Sequence, residues 1–501
     1  MQRTVFQGRC RIKTAATPKK VLFVTPPYHS GVDEIAGRWI PLGLVYLAGA
    51  ARLAGLDAGI YDAMAKGHAY PEIEHRLRES MADYVASTAI TATINDAVKT
   101  LDLAKRTNPD TVTILGGVHP TFMSEEVLAS SAAVDYVIIG EGEVTFRHLL
   151  EVLEAGGDPA TVAGIAFRRD GTVVKTGRRS PMDAIDDLPA AWDLLDWGDY
   201  YSLVIPDSRL GAISTSRGCD HDCTFCSQQK FWEQSWRARD PRKVADELEY
   251  LHTMHRVNVF MITDEHPTHS RDRWEALLDA VIAKDMPVYL LMETRAADII
   301  RDRDILWKYR KAGIIYLSTG IETADQAVLD AVNKGMLLSE VRQVFDLLRE
   351  QEIVSEASFM VGFPDETSES IKKTMQLAQQ YNPDIANFFT FTPWPYAEGY
   401  HDLNPLVRVH DYAKYNMVDP VIEPRNMSML QIEVAIADGY RNFYMGKIVE
   451  YMTMKAGFRR DYLMRITKLF MSSHFVMRKL GIGILGKIPA TIDAMKMKSR
   501  G

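Results

Sequence analysis

AISTSRGCDHDCTFCSQQKFW, residues 212–232, decides how the middle of this chain folds. It opens as a short apolar strand (212–215) and runs within a few residues into Cys219, Cys223 and Cys226, spaced C-x3-C-x2-C. Three thiolates on one tight loop hold three irons of a [4Fe–4S] cluster and leave the fourth iron open. A structural zinc site wants four ligands. The chain has 4 cysteines in all, and the remaining one, Cys10, stands far off near the N-terminus. His221 is the near substitute, but it sits inside the ligand loop itself. The spacing and the place after a strand point to an iron–sulfur cluster with an open coordination position.

Working outward, the same strand-then-helix rhythm continues downstream. Apolar runs at 257–262, 288–291, 314–317, 357–361 and 385–389 alternate with helical stretches. Six such units over about 180 residues fall short of the ~250 residues of an eight-unit barrel, so a partial (β/α)6 barrel is expected. Upstream, runs at 20–25, 57–61, 84–88, 112–115 and 134–139 are separated by helices, which predicts a doubly wound parallel sheet, Rossmann-like or flavodoxin-like. A hairpin follows, GIAFR and TVVKT around Asp170-Gly171. Residues 178–207, rich in Asp, Pro and Trp, read as a linker, and the last hundred residues look mostly helical. The expected organisation is a tail (1–17), an N-terminal α/β domain (18–160), hairpin and linker (161–207), a barrel domain (208–425) and a helical C-terminal region (426–501).

Over 501 residues, 47% hydrophobic and 25% charged, the composition is that of a folded protein and excludes collagen-like and wholly disordered classes. No uncharged apolar run reaches the ~18 residues of a spanning helix; the longest, 40–51, contains Pro41 and stops at Arg52. The basic N-terminus has no apolar core of a secretory signal, so an intracellular, cytoplasmic protein is expected. The net charge of −8 disfavours general nucleic-acid binding. That charge is uneven. From Tyr451 onward eleven Lys/Arg face two Asp/Glu, a local +9 on a body of −17. Such an end suits either an anionic or membrane surface or a solvated helical face.

The cysteine run, with Phe225 before its third cysteine, resembles the signature of radical S-adenosylmethionine enzymes. The resemblance implies that the open iron takes the amino and carboxyl groups of S-adenosylmethionine. Later segments match that family at the expected strand ends. ITDEHPT (262–268), with Asp264 and Glu265, stands where the family places polar groups near the methionine moiety. Arg295 of METR suits the cofactor carboxylate, Glu322 of TGIET a ribose, and Gly362 of VGFPDET the approach to adenine.

A doubly wound sheet binds its ligand at the carboxyl ends of its strands. Four loops lie there: TPPYHSG (25–31) with Tyr28 and His29, STAITAT (87–93) with Ser87, Thr88 and Thr91, GGVHPTF (116–122) with Gly116, Gly117 and His119, and GEGE (140–143) with Gly140 and Glu141. Their glycines and small hydroxyls admit a large flat ligand, while the lack of G-x-G-x-x-G argues against a dinucleotide. IPLGLVYLAGAARLAG (40–55) and these loops resemble the cobalamin-binding domains fused upstream of radical S-adenosylmethionine domains. D-x-H-x-x-G, which supplies a histidine to cobalt elsewhere, is absent. His119 is accordingly expected to pack its loop, with the lower face of cobalt as its other reading.

Further runs, YHSGVDEIAGRW (28–39), FCSQQKFW (225–232), TPWPY (392–396) and YRNFYMGK (440–447), resemble the family of anaerobic magnesium-protoporphyrin IX monomethyl ester oxidative cyclases of bacteriochlorophyll synthesis. That resemblance implies closure of the isocyclic ring with water as oxygen source, a magnesium porphyrin substrate, and an electron donor such as flavodoxin or ferredoxin. Trp232, Trp236, Phe388, Phe389 and Trp394 are the candidates to line a slot for the macrocycle. Two other readings carry the same domains: a cobalamin-dependent radical C-methyltransferase acting on a tetrapyrrole or hopanoid, and a non-catalytic cobalamin or redox sensor, which the intact cysteine motif disfavours.

Overall fold

The computed structural model describes residues 18–29, 34–397 and 399–473. Cys10, the tail 1–17 and the basic stretch beyond 473 lie outside the described residues. Among those described, no helix is long and apolar enough to cross a membrane.

The N-terminal sheet has seven strands: β1 (Lys20–Val24), β2 (Asp57–Tyr61), β3 (Tyr84–Thr88), β4 (Val112–Gly116), β5 (Tyr136–Ile138), β6 (Ile165–Arg169) and β7 (Thr172–Lys175), in the order β2-β1-β3-β4-β5-β6-β7. The first five are parallel, and the 2-1-3-4-5 order is the flavodoxin-like one, with its switch point between β1 and β3. Strand residues alternate between two covered faces. Val21 and Phe23 pack with Leu44, Phe146 and Leu150 of helices Leu42–Leu53 and Glu143–Glu154. Leu22 and Val24 pack with Ile73, Leu77 and Leu101 of helices Tyr70–Ser80 and Ile94–Thr107. Each large apolar side chain so buried contributes roughly 1.5–3 kcal/mol.

Two expectations about 161–207 change. The hairpin does not stand apart: β6 pairs antiparallel with β5, and so extends the sheet by two strands. The segment that follows is a packed strap. Trp192, Tyr200, Val204 and Ile205 are buried in the core shared with the barrel. Gly49 explains how the strap lies so close, because a Cβ there would stand 2.2 Å from the Pro189 carbonyl oxygen. Asp and Pro content suggested a linker, but its large side chains are what bind it down.

The second sheet holds β8 (Leu210–Ile213), β11 (Val259–Ile262), β12 (Tyr289–Glu293), β13 (Ile314–Glu322), β14 (Val354–Val361) and β15 (Ile385–Thr390), all parallel, in the order β15-β14-β13-β12-β11-β8. This is the partial (β/α)6 barrel. β9 (Ser216–Gly218) and β10 (Trp236–Ala238) form a separate antiparallel ribbon at the foot of the cysteine loop.

The free edge of β15 is closed by three tyrosines on helix Met429–Thr453. Phe388 N donates to Tyr440 Oη at 3.1 Å, Tyr444 Oη donates to the Ala386 carbonyl at 3.3 Å, and Tyr451 Oη donates to that of Asp384. An edge strand with its backbone groups so occupied offers no template for another chain. Helix Phe458–Ser472 then approaches the barrel at the amino ends of its strands, Phe458 against Tyr289 and Tyr462 against Tyr316, pinned by the buried Arg459–Asp384 fork at 2.6 and 3.0 Å.

Candidate active site

The cysteine loop hangs between β9 and the short helix Gln228–Phe231. Gly218 makes it possible: its φ is +95°, and a Cβ there would lie 1.9 Å from the Ser235 carbonyl oxygen. The loop is pinned by Thr224 N to the Val332 carbonyl at 3.2 Å and folded by Cys226 N to the Cys223 carbonyl at 3.1 Å. All three cysteines are free and half-buried. Burial pushes the Cys219 thiol up to about 11 and raises those of Cys223 and Cys226. Thiols in that state release their protons to a metal rather than to water. Among the described residues, the one group of three donors converging within 4.8 Å is Cys219, Asp220 and His266. The three thiols therefore stand wider apart than ligands of one ion, as ligands of three separate irons must. The residues fit a cluster better than zinc.

Of the residues expected around S-adenosylmethionine, Phe225, Arg295 and Glu322 gather beside this loop. Arg295 donates to the Lys334 and Gly335 carbonyls at 2.7 and 3.2 Å, and its charge acts on the Cys219 and Cys223 thiols. Glu322 is buried and ion-paired with Lys334, whose ammonium lies 5.9 Å from the Phe225 ring centre. Gly362 has φ +89°, and its N–H donates to Glu366 Oε2 at 2.7 Å. Asp264 and Glu265 are otherwise engaged. Asp264 accepts from Thr215 N, Thr215 Oγ1 and Ser216 Oγ at 2.6–2.7 Å, and Glu265 accepts from Gly218 N and Trp232 Nε1 at 3.2 and 2.8 Å. Both carboxylates brace the foot of the cysteine loop rather than standing open to a ligand.

Two residues here escaped the sequence reading. Lys334 lies in a turn of VNKG (332–335), where a lone lysine carries no signal. His266 is held by Asp298, Nε2 to Oδ2 at 2.6 Å, and its buried Nδ1 has no partner.

On the N-terminal sheet, the loops after β3 and β4 touch at Gly117, whose φ is +103° and whose Cβ would stand 2.5 Å from the Ala89 carbonyl oxygen. Thr88 Oγ1 lies 2.8 Å from that same point. Gly116 ends β4, and the Ser87 hydroxyl donates to the Val24 carbonyl at 2.8 Å across the switch point. Small hydroxyls and glycine backbone at this crevice fit a large ligand seated on the main chain. His119 does not stand free. It is 1% exposed, its Nδ1 is 3.2 Å from Thr91 Oγ1, and Tyr412 and Tyr396 pack on it at 4.9 and 6.2 Å. Burial holds it down to about 4, hence neutral. Tyr28 is half-buried and bonded to Asn416, and His29 is exposed. Gly140 lies beside the Arg178 guanidinium. Glu141 leaves the ligand set: it accepts from Arg217, Arg237 and Met182 N at 2.8–2.9 Å, across the domain boundary.

One tyrosine joins the two cofactor loops. Tyr396 Oη is 2.9 Å from Thr91 Oγ1 and also hydrogen-bonds Ser227, the neighbour of Cys226. Its ring stacks on Phe122 at 4.8 Å and on Trp394 at 6.4 Å.

The expected aromatic slot is not formed. Trp232 stands between the Arg217 and Arg237 guanidiniums at 5.9 and 5.7 Å, a wedge in the domain interface. Trp236 packs on His269 at 4.5 Å and donates to the His266 carbonyl. Phe388 is core, against Phe359 and Tyr440. Trp394 lies by the cofactor loops, but on Tyr396. The hollow is elsewhere, inside the barrel. Tyr316 and Gly320 of β13, Glu356, Ser358 and Met360 of β14, and Asn387 and Phe389 of β15 keep accessible surface at alternate positions, and Glu293 of β12 is exposed there.

Comparison with known proteins agrees with both halves. Residues 28–150 match the B12 binding domain family and residues 213–378 the radical SAM superfamily. The chain is 38% identical over 474 residues to the anaerobic magnesium-protoporphyrin IX monomethyl ester cyclase of Rubrivivax gelatinosus, covering 93% of this chain and 85% of the relative. It is 37% identical to the enzyme of that name from Cereibacter sphaeroides, over 91% of this chain and 75% of the relative. The hopanoid C-3 methylase of Methylococcus capsulatus is 27% identical over 81% of this chain and 76% of that protein. Among solved structures, OxsB, a cobalamin-dependent S-adenosylmethionine radical enzyme with aqua-cobalamin and S-adenosylmethionine bound, aligns with TM-score 0.68 at 15% identity over 96% of this chain and 75% of that one. TsrM from Kitasatospora setae, a radical S-adenosylmethionine methyltransferase, aligns with TM-score 0.67 at 15% identity, over 96% and 99%. These last two bear on the fold alone. The cofactors that go with the two domains are cobalamin, S-adenosylmethionine and a [4Fe–4S] cluster.

Proposed function

The chain belongs to the family of the anaerobic magnesium-protoporphyrin IX monomethyl ester cyclases, and from that premise we propose that it closes the isocyclic ring of a magnesium porphyrin monomethyl ester by an oxidative radical reaction. The observation that carries this reading is the extent of the likeness, 38% identity along 93% of the chain, against 27% to the hopanoid methylase. When bound, the cluster and S-adenosylmethionine supply a 5′-deoxyadenosyl radical able to take hydrogen from the esterified propionate chain.

The chain's own residues bind, orient and exclude water. Cys219, Cys223 and Cys226 hold the cluster, and Glu265 and Asp264 fix the backbone from which they hang. Arg295 and Lys334 present positive charge beside the thiols, suited to a carboxylate ligand. Tyr396 and the buried Arg217 ion pairs hold the two cofactor loops against each other. The barrel hollow receives the side chain to be oxidised, and water supplies the new oxygen. The six electrons removed would be taken up by S-adenosylmethionine, two for each molecule cleaved to 5′-deoxyadenosine and methionine. Flavodoxin or ferredoxin serves as the electron donor. Basic residues of the C-terminal end other than the buried Arg459 meet an anionic membrane surface from which an apolar porphyrin is drawn.

Oxidative closure adds one oxygen and removes four hydrogens, whereas methylation adds CH2. Anaerobic incubation with the magnesium porphyrin ester, S-adenosylmethionine and a reductant, read by mass spectrometry, tests the proposal. A product gaining CH2 assigns the chain to the methyltransferases instead.

A further inference from the structure

Halfway along the barrel lumen two carboxyl groups share one face. Glu293 of β12 stands in register with Ser318 of β13, and Ser318 with Glu356 of β14. Ser318 Oγ donates to Glu356 Oε1 at 3.0 Å, Tyr316 Oη donates to Oε2, and the Asn387 side chain joins them from β15. Among the described residues neither carboxyl forms an ion pair. The nearest cation acting on Glu293, Lys334, is already paired with Glu322. Burial first, then Glu293, pushes the Glu356 carboxyl up to about 7, and burial raises that of Glu293. Glu293 nonetheless keeps exposed surface, so the hollow is open beside it.

A substrate side chain entering this hollow meets hydrogen-bond donors while the carboxyls are protonated and negative charge when they are not. A neutral ester carbonyl accepts from a protonated carboxyl and loses little to an ionised one. A free propionate makes three carboxyl groups on one face away from water and enters only with a further proton taken up, which the ester does not need. We propose that Glu293 and Glu356 are specificity-determining residues that admit the methyl-esterified propionate to the lumen and turn the free acid away. The inference rests on the cyclase reading and names which face of that substrate the barrel takes.

Fluorescence titration of the anaerobic holoenzyme, without reductant so that no turnover occurs, tests it with magnesium-protoporphyrin IX and with its monomethyl ester. The parent chain is expected to bind the ester about tenfold or more tightly than the diacid. In Glu356→Gln and in Glu293→Gln that ratio should fall toward one through gained affinity for the diacid, with iron content and S-adenosylmethionine binding unchanged. Glu293, the more accessible of the two, gives the same readout if Glu356→Gln folds poorly. A ratio unchanged in both variants, or a parent chain without preference, overturns the inference and leaves the cyclase reading standing. A parent chain that binds neither porphyrin takes down that reading and the inference with it.

Discussion

Arg217 Nη2 lies 2.6 Å from Glu143 Oε1, across the boundary between the two cofactor domains. The same guanidinium reaches Glu141 at 2.9 Å, and all three side chains are only 9% exposed. Arg217 stands two residues ahead of Cys219, and the two glutamates follow β5, so one buried ion-pair network fixes the cysteine loop against the N-terminal sheet. Arg237 joins it at 2.8 Å from Glu141. Removing one partner of a buried pair strands the other charge, at a cost of about 3–5 kcal/mol. Arg217→Met should therefore lower the urea midpoint and loosen the domains to limited proteolysis, while Arg242→Met, on an exposed pair with Asp240, changes little. Equal midpoints for the two variants would contradict this.

Each of Cys219→Ala, Cys223→Ala and Cys226→Ala should lose the cluster, because the described residues hold no thiol besides these three. Cys10→Ala is expected to be nearly silent. Iron and sulfide assays and the visible absorbance decide it. A full complement of both in Cys223→Ala would remove the assignment.

Cobalamin should bind without a protein histidine on cobalt. His119 is bonded to Thr91 and walled by Tyr396 and Tyr412. His119→Ala is expected to leave the visible spectrum of bound cobalamin base-off and five-coordinate, as in the parent chain. A histidine-ligated parent spectrum that vanishes on this substitution would show the opposite.

Much of this was legible from a single sequence, and the limits have physical causes. The cysteine loop and the two alternations are local patterns, and local patterns survive into the fold. The alternation in VSEASFMV (354–361) is equally local, but by itself it predicts only a strand at 357–361. That Glu356, Ser358 and Met360 line a hollow while Ala357, Phe359 and Val361 are buried is seen in the structure alone. What failed were inferences from residue type alone. Trp232 was expected in a slot, but Glu265 accepts its indole N–H, and the β9–β10 ribbon sets Arg217 and Arg237 on either side of it. Glu141 sits at a strand end suited to a ligand, yet arginines of the other domain claim it. Residue type at either position does not record those pairings.

Glu356 predicts a pH dependence. Its carboxyl, raised by burial from 4.5 to about 7, holds a proton more tightly folded than unfolded. The stability it contributes is present in full below about 4.5 and is lost as the pH climbs through about 7, by at most roughly 3 kcal/mol. Glu356→Gln should remove that loss, so that the difference in unfolding free energy between variant and parent grows from pH 5 to pH 8. A constant difference over that range would mean that Glu356 titrates at its ordinary value.

The central claim is oxidative ring closure with oxygen taken from water. Turnover under strict anaerobiosis in 18O-labelled water, followed by mass spectrometry, tests it most directly, with unlabelled product held in the same water as the control for exchange. The account predicts a product one oxygen richer and four hydrogens poorer than the ester, labelled well above the control. Label at the control level, or a product that has gained CH2, would contradict it.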